Sequence, residues 1–241
     1  MERRGFLTSS LVGAAWLAST PMIRALGGQT QAVSPGNRLE PPARGSISVG
    51  VAVSRGVTVI DFSGPWEVFQ DAVVSERGSD REGQPPFRLY TVSDSTAPLR
   101  GSAGLQLVPD YTFENAPPPR VVVVPAQSGG PALHEWLRKM SRTADVTMSV
   151  CTGAFQLARA GLLSGLEATT HHDFADRLAI QYPDVRVRKG VRYVEGPKIS
   201  TAGGLTSGID LALRVVERYF GRPAAERTAQ YMEYQSRGWI V

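Results

Sequence analysis

The 241-residue chain predicts an α/β fold with a mostly parallel sheet and helices on both faces. Three observations carry that reading. Short β-branched runs such as "SISVGVAV" (46–53) and "VVVVP" (121–125) are apolar at consecutive positions, the pattern of strands covered on both sides. Segments of helical period alternate with them, ending in the amphipathic "LTSGIDLALRVVERYF" (205–220). Gly and Pro punctuate the joins, as at Pro125, Gly161, Pro183 and Gly221.

The strand at 46–53 leads into "SRGVTVIDFSGPWEVFQDAVV", where Gly64 and Pro65 break the chain and a helix follows to about Val74. "FRLYTVS" (87–93) is a second strand, and 99–120 reads as a hairpin or an irregular excursion. Pro125 stops the strand at 121–125; a helix is expected over 131–141, a strand over 145–150, and a helix over 152–160 ended by Gly161. "EATTHHDFADRLAIQYP" gives a short strand and a helix halted by Pro183, then "VRVR", "VRYVEG" and "KISTAG" give short strands. The amphipathic helix stops at Gly221, and a last helix covers about 224–235. In parallel sheets of this kind, sites gather at the carboxyl ends of the strands.

Ahead of the fold, "MERRGFLTSSLVGAAWLAST" pairs Arg3 and Arg4 with Phe6 and Leu7 before a short, interrupted apolar run. That is the pattern of a twin-arginine export signal, with Arg24 as a further basic residue, and it predicts a periplasmic protein. The run is too short to span a bilayer, for which about 20 apolar residues are needed. The expected organisation is a signal peptide at 1–28, a Pro-, Gly- and Ser-rich flexible linker at 29–45 and one domain at 46–241. Cleavage after Gly27 or Ala32 fits small-residue rules.

Removing Glu2, Arg3, Arg4 and Arg24 takes the formal charge from +4 to +2 and leaves no dense basic cluster. Nucleic acid is therefore not an expected partner. A lone cysteine cannot close an intrachain disulfide, so Cys151 is either buried filler or chemistry.

In "DVTMSVCTGAFQLARAG" that cysteine falls where a strand turns into a helix, the elbow geometry that exposes a nucleophile above a sheet. Gly153 permits close backbone approach there. Helix amides favour thiolate and can receive an oxyanion. Free cysteine also packs as a small hydrophobe, and position alone leaves both readings open. His171 and His172 invite a metal, but adjacent histidines do not easily point the same way and His134 lies in another helix, so no metal is expected. His171 reads better as a hydrogen-bonded residue at a helix start. Gly203, Gly204 and Gly208 lack the full spacing of a phosphate loop and read as helix packing.

Taken together, "DFSGPWEVF" (61–69), "SVCTGAFQLARAGLLSGLEATTHH" (149–172) and "STAGGLTSGIDLALRVVERYFG" (200–221) resemble the ThiJ/PfpI superfamily, and within it the isonitrile hydratase-like branch. The resemblance implies a flavodoxin-like three-layer sandwich of the class I glutamine amidotransferase type, a homodimer, and a cofactor-independent lyase acting on a small electrophile. It places Cys151 as nucleophile, Asp61 as its acidic partner, and Thr152 and Gly153 in the elbow. Gly64 and Pro65 would shape the loop presenting Asp61, and Gly203 and Gly204 the entrance to the late helix. Gly64, Trp66, Phe155, Thr170, His171 and Gly203 would line the pocket. Read without the family, Asp61 is equally a helix cap. Peptidase-like members carry histidine directly after the cysteine, where this chain has Thr152, which weighs against proteolysis. The chain stops at Val241 without a helix-turn-helix module, which weighs against transcription control. The implied reaction is hydration of an isonitrile to an N-substituted formamide. Alternatives are a periplasmic redox or electrophile sensor, a protective binding protein, and an α-oxoaldehyde-processing enzyme.

Overall fold

Strand β1 (Ile47–Ala52) sits inside a seven-stranded sheet ordered β10-β11-β7-β6-β1-β2-β5. The other members are β2 (Phe87–Ser93), β5 (Tyr111–Thr112), β6 (Val121–Val124), β7 (Val146–Val150), β10 (Tyr193–Val194) and β11 (Ile199–Ala202). All neighbours run parallel except the edge pair β10 and β11. Our computed structural model describes residues 37–74 and 85–240, so the expected leader and the start of the linker fall outside the described residues.

Alternation along β6 shows why the sheet needs helices on both faces. Val121 and Val123 enter one core with α1 (Val59–Gln70), α5 (Ser207–Phe220) and α6 (Arg222–Tyr231). Val122 and Val124 enter the other with α2 (Pro131–Thr143), α3 (Gly153–Arg159) and Leu178 of α4 (Ala175–Gln181). A strand buried on both faces has no polar side to show, so its sequence reads as an unbroken apolar run. The result is the expected three-layer sandwich.

Two small pairs stand apart. Strands β3 (Leu99–Arg100) and β4 (Gln106–Leu107) form a small hairpin within the 99–120 stretch that reads as either a hairpin or an irregular excursion, and β8 (Glu167–Ala168) pairs with β9 (Arg186–Val187). Among the described residues no helix is long and apolar enough to cross a membrane.

The structure corrects the sequence reading in two helices. Helix α1 begins at Val59 and runs through Gly64 and Pro65, which therefore do not form a loop. Pro65 lacks an N–H for the Asp61 carbonyl, but the helix tolerates one missing bond where Gly64 lets it press on α5. A Cβ at residue 64 would lie 2.9 Å from Ile209 Cγ1. The last helix starts at Arg222, after Gly221 at φ 83°, and ends at Tyr231.

Part of the expected linker is bound to the domain. Arg218, buried in α5, donates through Nε to the Asn37 carbonyl at 2.6 Å and through Nη2 to the Pro197 carbonyl at 2.6 Å. Leu39 N–H donates to the Arg218 carbonyl at 2.9 Å. A buried guanidinium needs acceptors all round, and the Asn37, Gly196 and Pro197 carbonyls supply them. Arg218→Met is expected to cost about 3 kcal/mol and to open 37–40 to proteases, read by urea unfolding and limited proteolysis.

Candidate active site

Four loops leaving the carboxyl ends of β1, β6, β7 and β11 converge on one point, the place the parallel topology reserves for a site. The loop after β7 carries Cys151 at φ 57°, a left-handed conformation that a residue with a side chain adopts only at a cost of about 1–3 kcal/mol. Neighbours hold it there. Cys151 N–H donates to the Gly203 carbonyl at 2.8 Å, and Thr170 Oγ1 donates to the Cys151 carbonyl at 2.9 Å. Thr152 follows, and α3 begins at Gly153, where a Cβ would stand 2.0 Å from the Val124 carbonyl oxygen. The elbow therefore requires glycine at that position.

Asp61 enters from the first turn of α1 and is fully buried. Its Oδ2 accepts the Ala126 N–H at 3.2 Å, while Oδ1 has no well-aligned partner among the described residues. The Cys151 thiol and the Leu205 N–H nevertheless face this carboxyl group closely enough to favour its charge. Burial outweighs them and pushes the Asp61 pKa up to about 6.

The thiol departs from expectation. Cys151 is only 7% exposed, and its pKa is pushed up to about 11, first by burial and then by the Asp61 charge. N–H groups of Thr152 and Leu205 pull in the opposite direction without prevailing. The anticipated resting thiolate is thus replaced by a neutral thiol beside a carboxylate. Helix α3 is seven residues long, and its terminal field does not offset the lost water.

Leu205, which no sequence motif singles out, is the main addition to the site. It sits at φ 54°, and its strained backbone aims its N–H at both Asp61 and Cys151. The only hint in the sequence was the Gly203–Gly204 pair preceding it. Ala126 was equally hidden, because only its backbone takes part.

Beside the elbow opens a cleft of about 500 Å³. Thr170, His171, His172, Arg192, Gly203 and Leu205 are among its lining residues, whereas Cys151 and Asp61 are not. Gly64, Trp66 and Phe155 lie elsewhere. Gly64 is in the α1–α5 contact, Trp66 packs on the first core with its Nε1 donating to Gln70, and Phe155 is buried in the second core against Tyr182. Phe155 thus belongs to the core on the other face of the sheet from the one Cys151 joins. His171 starts a 3-10 turn at His172–Phe174, its Nδ1 accepting the Asp173 N–H at 3.3 Å. His134 is far from it in sequence and bonds Gln156 at 2.9 Å.

The DJ-1/PfpI family profile matches residues 47–218. The chain belongs to the DJ-1/PfpI family. It is 32% identical over 199 residues to an isonitrile hydratase of Pseudomonas putida, covering 78% of this chain and 79% of that protein. A transcriptional regulator of the helix-turn-helix type from Pseudomonas aeruginosa, CdhR, is 30% identical over 67% of this chain, which spans 49% of the regulator. Among solved structures, a ThiJ/PfpI family protein from Pseudomonas syringae superposes with a TM-score of 0.69 at 26% identity, over 88% of this chain and 84% of that one. Drosophila melanogaster DJ-1beta, at 17% identity and a TM-score of 0.65 over 79% of this chain and all of that one, shares the fold. Members of this DJ-1/PfpI set thus include both an enzyme and regulators, and the Cys151–Asp61 geometry is what bears on the choice.

Proposed function

We propose that this chain is a cysteine-dependent hydratase acting on a small carbon electrophile, with isonitriles converted to N-substituted formamides as the leading substrate class. The observation that carries the reading is the neutral Cys151 thiol at a strained elbow, facing a buried carboxylate whose pKa of about 6 suits proton exchange near neutrality. Similarity to an isonitrile hydratase supports it.

The pair can run the reaction with one shuttled proton. Asp61 accepts the thiol proton as Cys151 Sγ bonds to the terminal isonitrile carbon, then gives that proton to the same carbon, leaving a thioformimidate on the enzyme. Asp61 next accepts a proton from water as the water oxygen bonds to that carbon, and the imine nitrogen takes the proton. The carbon–sulfur bond then breaks, the hydroxyl proton returns through Asp61 to sulfur, and the formamide leaves. Thr152 and Leu205 N–H groups face the sulfur, where negative charge develops on attack and departure. A raised thiol pKa fits this cycle, because the proton on sulfur is the one the substrate carbon needs.

We further propose that the protein is exported by the twin-arginine route and acts in the periplasm as a homodimer. Cys151→Ala is expected to abolish formamide production while shifting the thermal midpoint by only about 2–4 °C. Purified protein and variant, assayed against an isonitrile and an α-oxoaldehyde, provide the check. Turnover retained by the variant contradicts the mechanism; stoichiometric peroxide oxidation of Cys151 with no turnover of either compound favours the sensor.

A further inference from the structure

We propose that His171, His172 and Asp173 form a site for a borderline divalent ion such as Zn²⁺ or Ni²⁺ at the rim of the cleft. The sequence argued against this, because side chains of adjacent residues diverge in regular structure. Here the chain changes conformation between the two histidines. His171 is extended, at φ −52° and ψ 135°, and His172 begins a 3-10 turn. That change lays the two imidazoles face to face, with ring centres 4.3 Å apart and planes within 26°.

The turn also brings Asp173 back onto both rings. Its Oδ1 lies 3.1 Å from His172 Nε2 and its Oδ2 lies 3.7 Å from His171 Nδ1. One ligand atom from each of the three residues falls within 4.8 Å of the others. Stacked rings hold their lone pairs in nearly parallel planes, so the exposed His172 ring would turn out of the stack, with Asp173, to converge with His171 on the roughly 2 Å bonds such an ion requires.

The donor chemistry suits such an ion. His171 Nδ1 is unprotonated, its one lone pair accepting the Asp173 N–H at 3.3 Å, so an ion at this atom takes the place of that hydrogen bond. Two imidazoles and a carboxylate match Zn²⁺ or Ni²⁺, whereas Mg²⁺ and Ca²⁺ favour oxygen throughout. His171 is also held in place: a Cβ at residue 204 would meet its Cδ2 at 2.3 Å, and Phe174 packs edge-on at 5.9 Å. One fixed ligand and two exposed ones make a site of moderate affinity with an open position toward solvent. The nearby cation Lys189 is engaged by Asp176 and leaves the Asp173 carboxylate to the imidazoles.

Calorimetric titration of the untagged full chain with zinc chloride tests this, with magnesium chloride as the contrasting ion. The expected result is one equivalent of Zn²⁺ bound in the micromolar range and no Mg²⁺. His172→Ala and Asp173→Asn should each weaken binding by about tenfold or more, with Cys151→Ala leaving it unchanged. Absence of binding below millimolar zinc overturns the site. So does binding that survives both substitutions, or binding lost with Cys151→Ala, which would place the ion on the thiol instead.

Discussion

Asp61→Asn is expected to stop turnover and, at neutral pH, to make the protein more stable by about 3 kcal/mol. The two effects share one cause. Burial raises the Asp61 pKa from 3.8 to about 6, so the folded protein holds this proton more tightly than the unfolded chain does. Stability from this group is complete below pH 3.8, declines as pH rises between 3.8 and about 6, and stays lost above that. Asparagine keeps an oxygen for the Ala126 N–H and never ionises. Urea unfolding from about pH 4 to about pH 8 should show the variant's advantage opening with rising pH. A wild-type protein as stable as the variant at the upper end would contradict the buried carboxylate. The same ionisation should appear in the wild-type rate, with kcat/KM climbing through about pH 6 as the base forms.

Gly153→Ala should leave little folded protein. The added carbon would sit 2.0 Å from the Val124 carbonyl oxygen and 3.0 Å from the Pro125 carbonyl carbon. Both belong to the backbone closing β6, so no side-chain rotation makes room. Relief would require moving a central strand that is fully buried on both faces. A loss above about 4 kcal/mol is expected, enough to unfold a domain of ordinary stability. Soluble yield and a thermal melt give the answer. A variant melting within a few degrees of wild type would mean that the elbow is not shaped as described.

Local chemistry explains what the sequence disclosed. The apolar run 121–124, the elbow at Cys151 and the stop at Gly221 each depend on neighbouring residues, and each lies where the pattern placed it. What stayed hidden depends on distant segments. Gly64 and Pro65 carry the usual marks of a break, yet packing against Ile209 keeps them helical and puts Asp61 in a first turn instead of a loop. The neutral state of the thiol is hidden for a similar reason. The elbow amides are readable in the chain, but the burial that opposes them arises only when four loops meet. Leu205 and Ala126 contribute backbone N–H groups, for which side-chain identity carries no signal. The stacking of His171 on His172 follows from a conformational change at a single residue boundary.

Helix α1 carries Asp61, the proposed base, and α5 follows the loop whose Leu205 amide faces the sulfur. Where these two helices touch, the gap between them is set by the bare α-carbon of Gly64 against one isoleucine. The separation of the Asp61 carboxyl from the Cys151 thiol is thus a dial located outside both groups. A change of one methyl group at that contact can retune the chemistry while every residue that performs it stays the same.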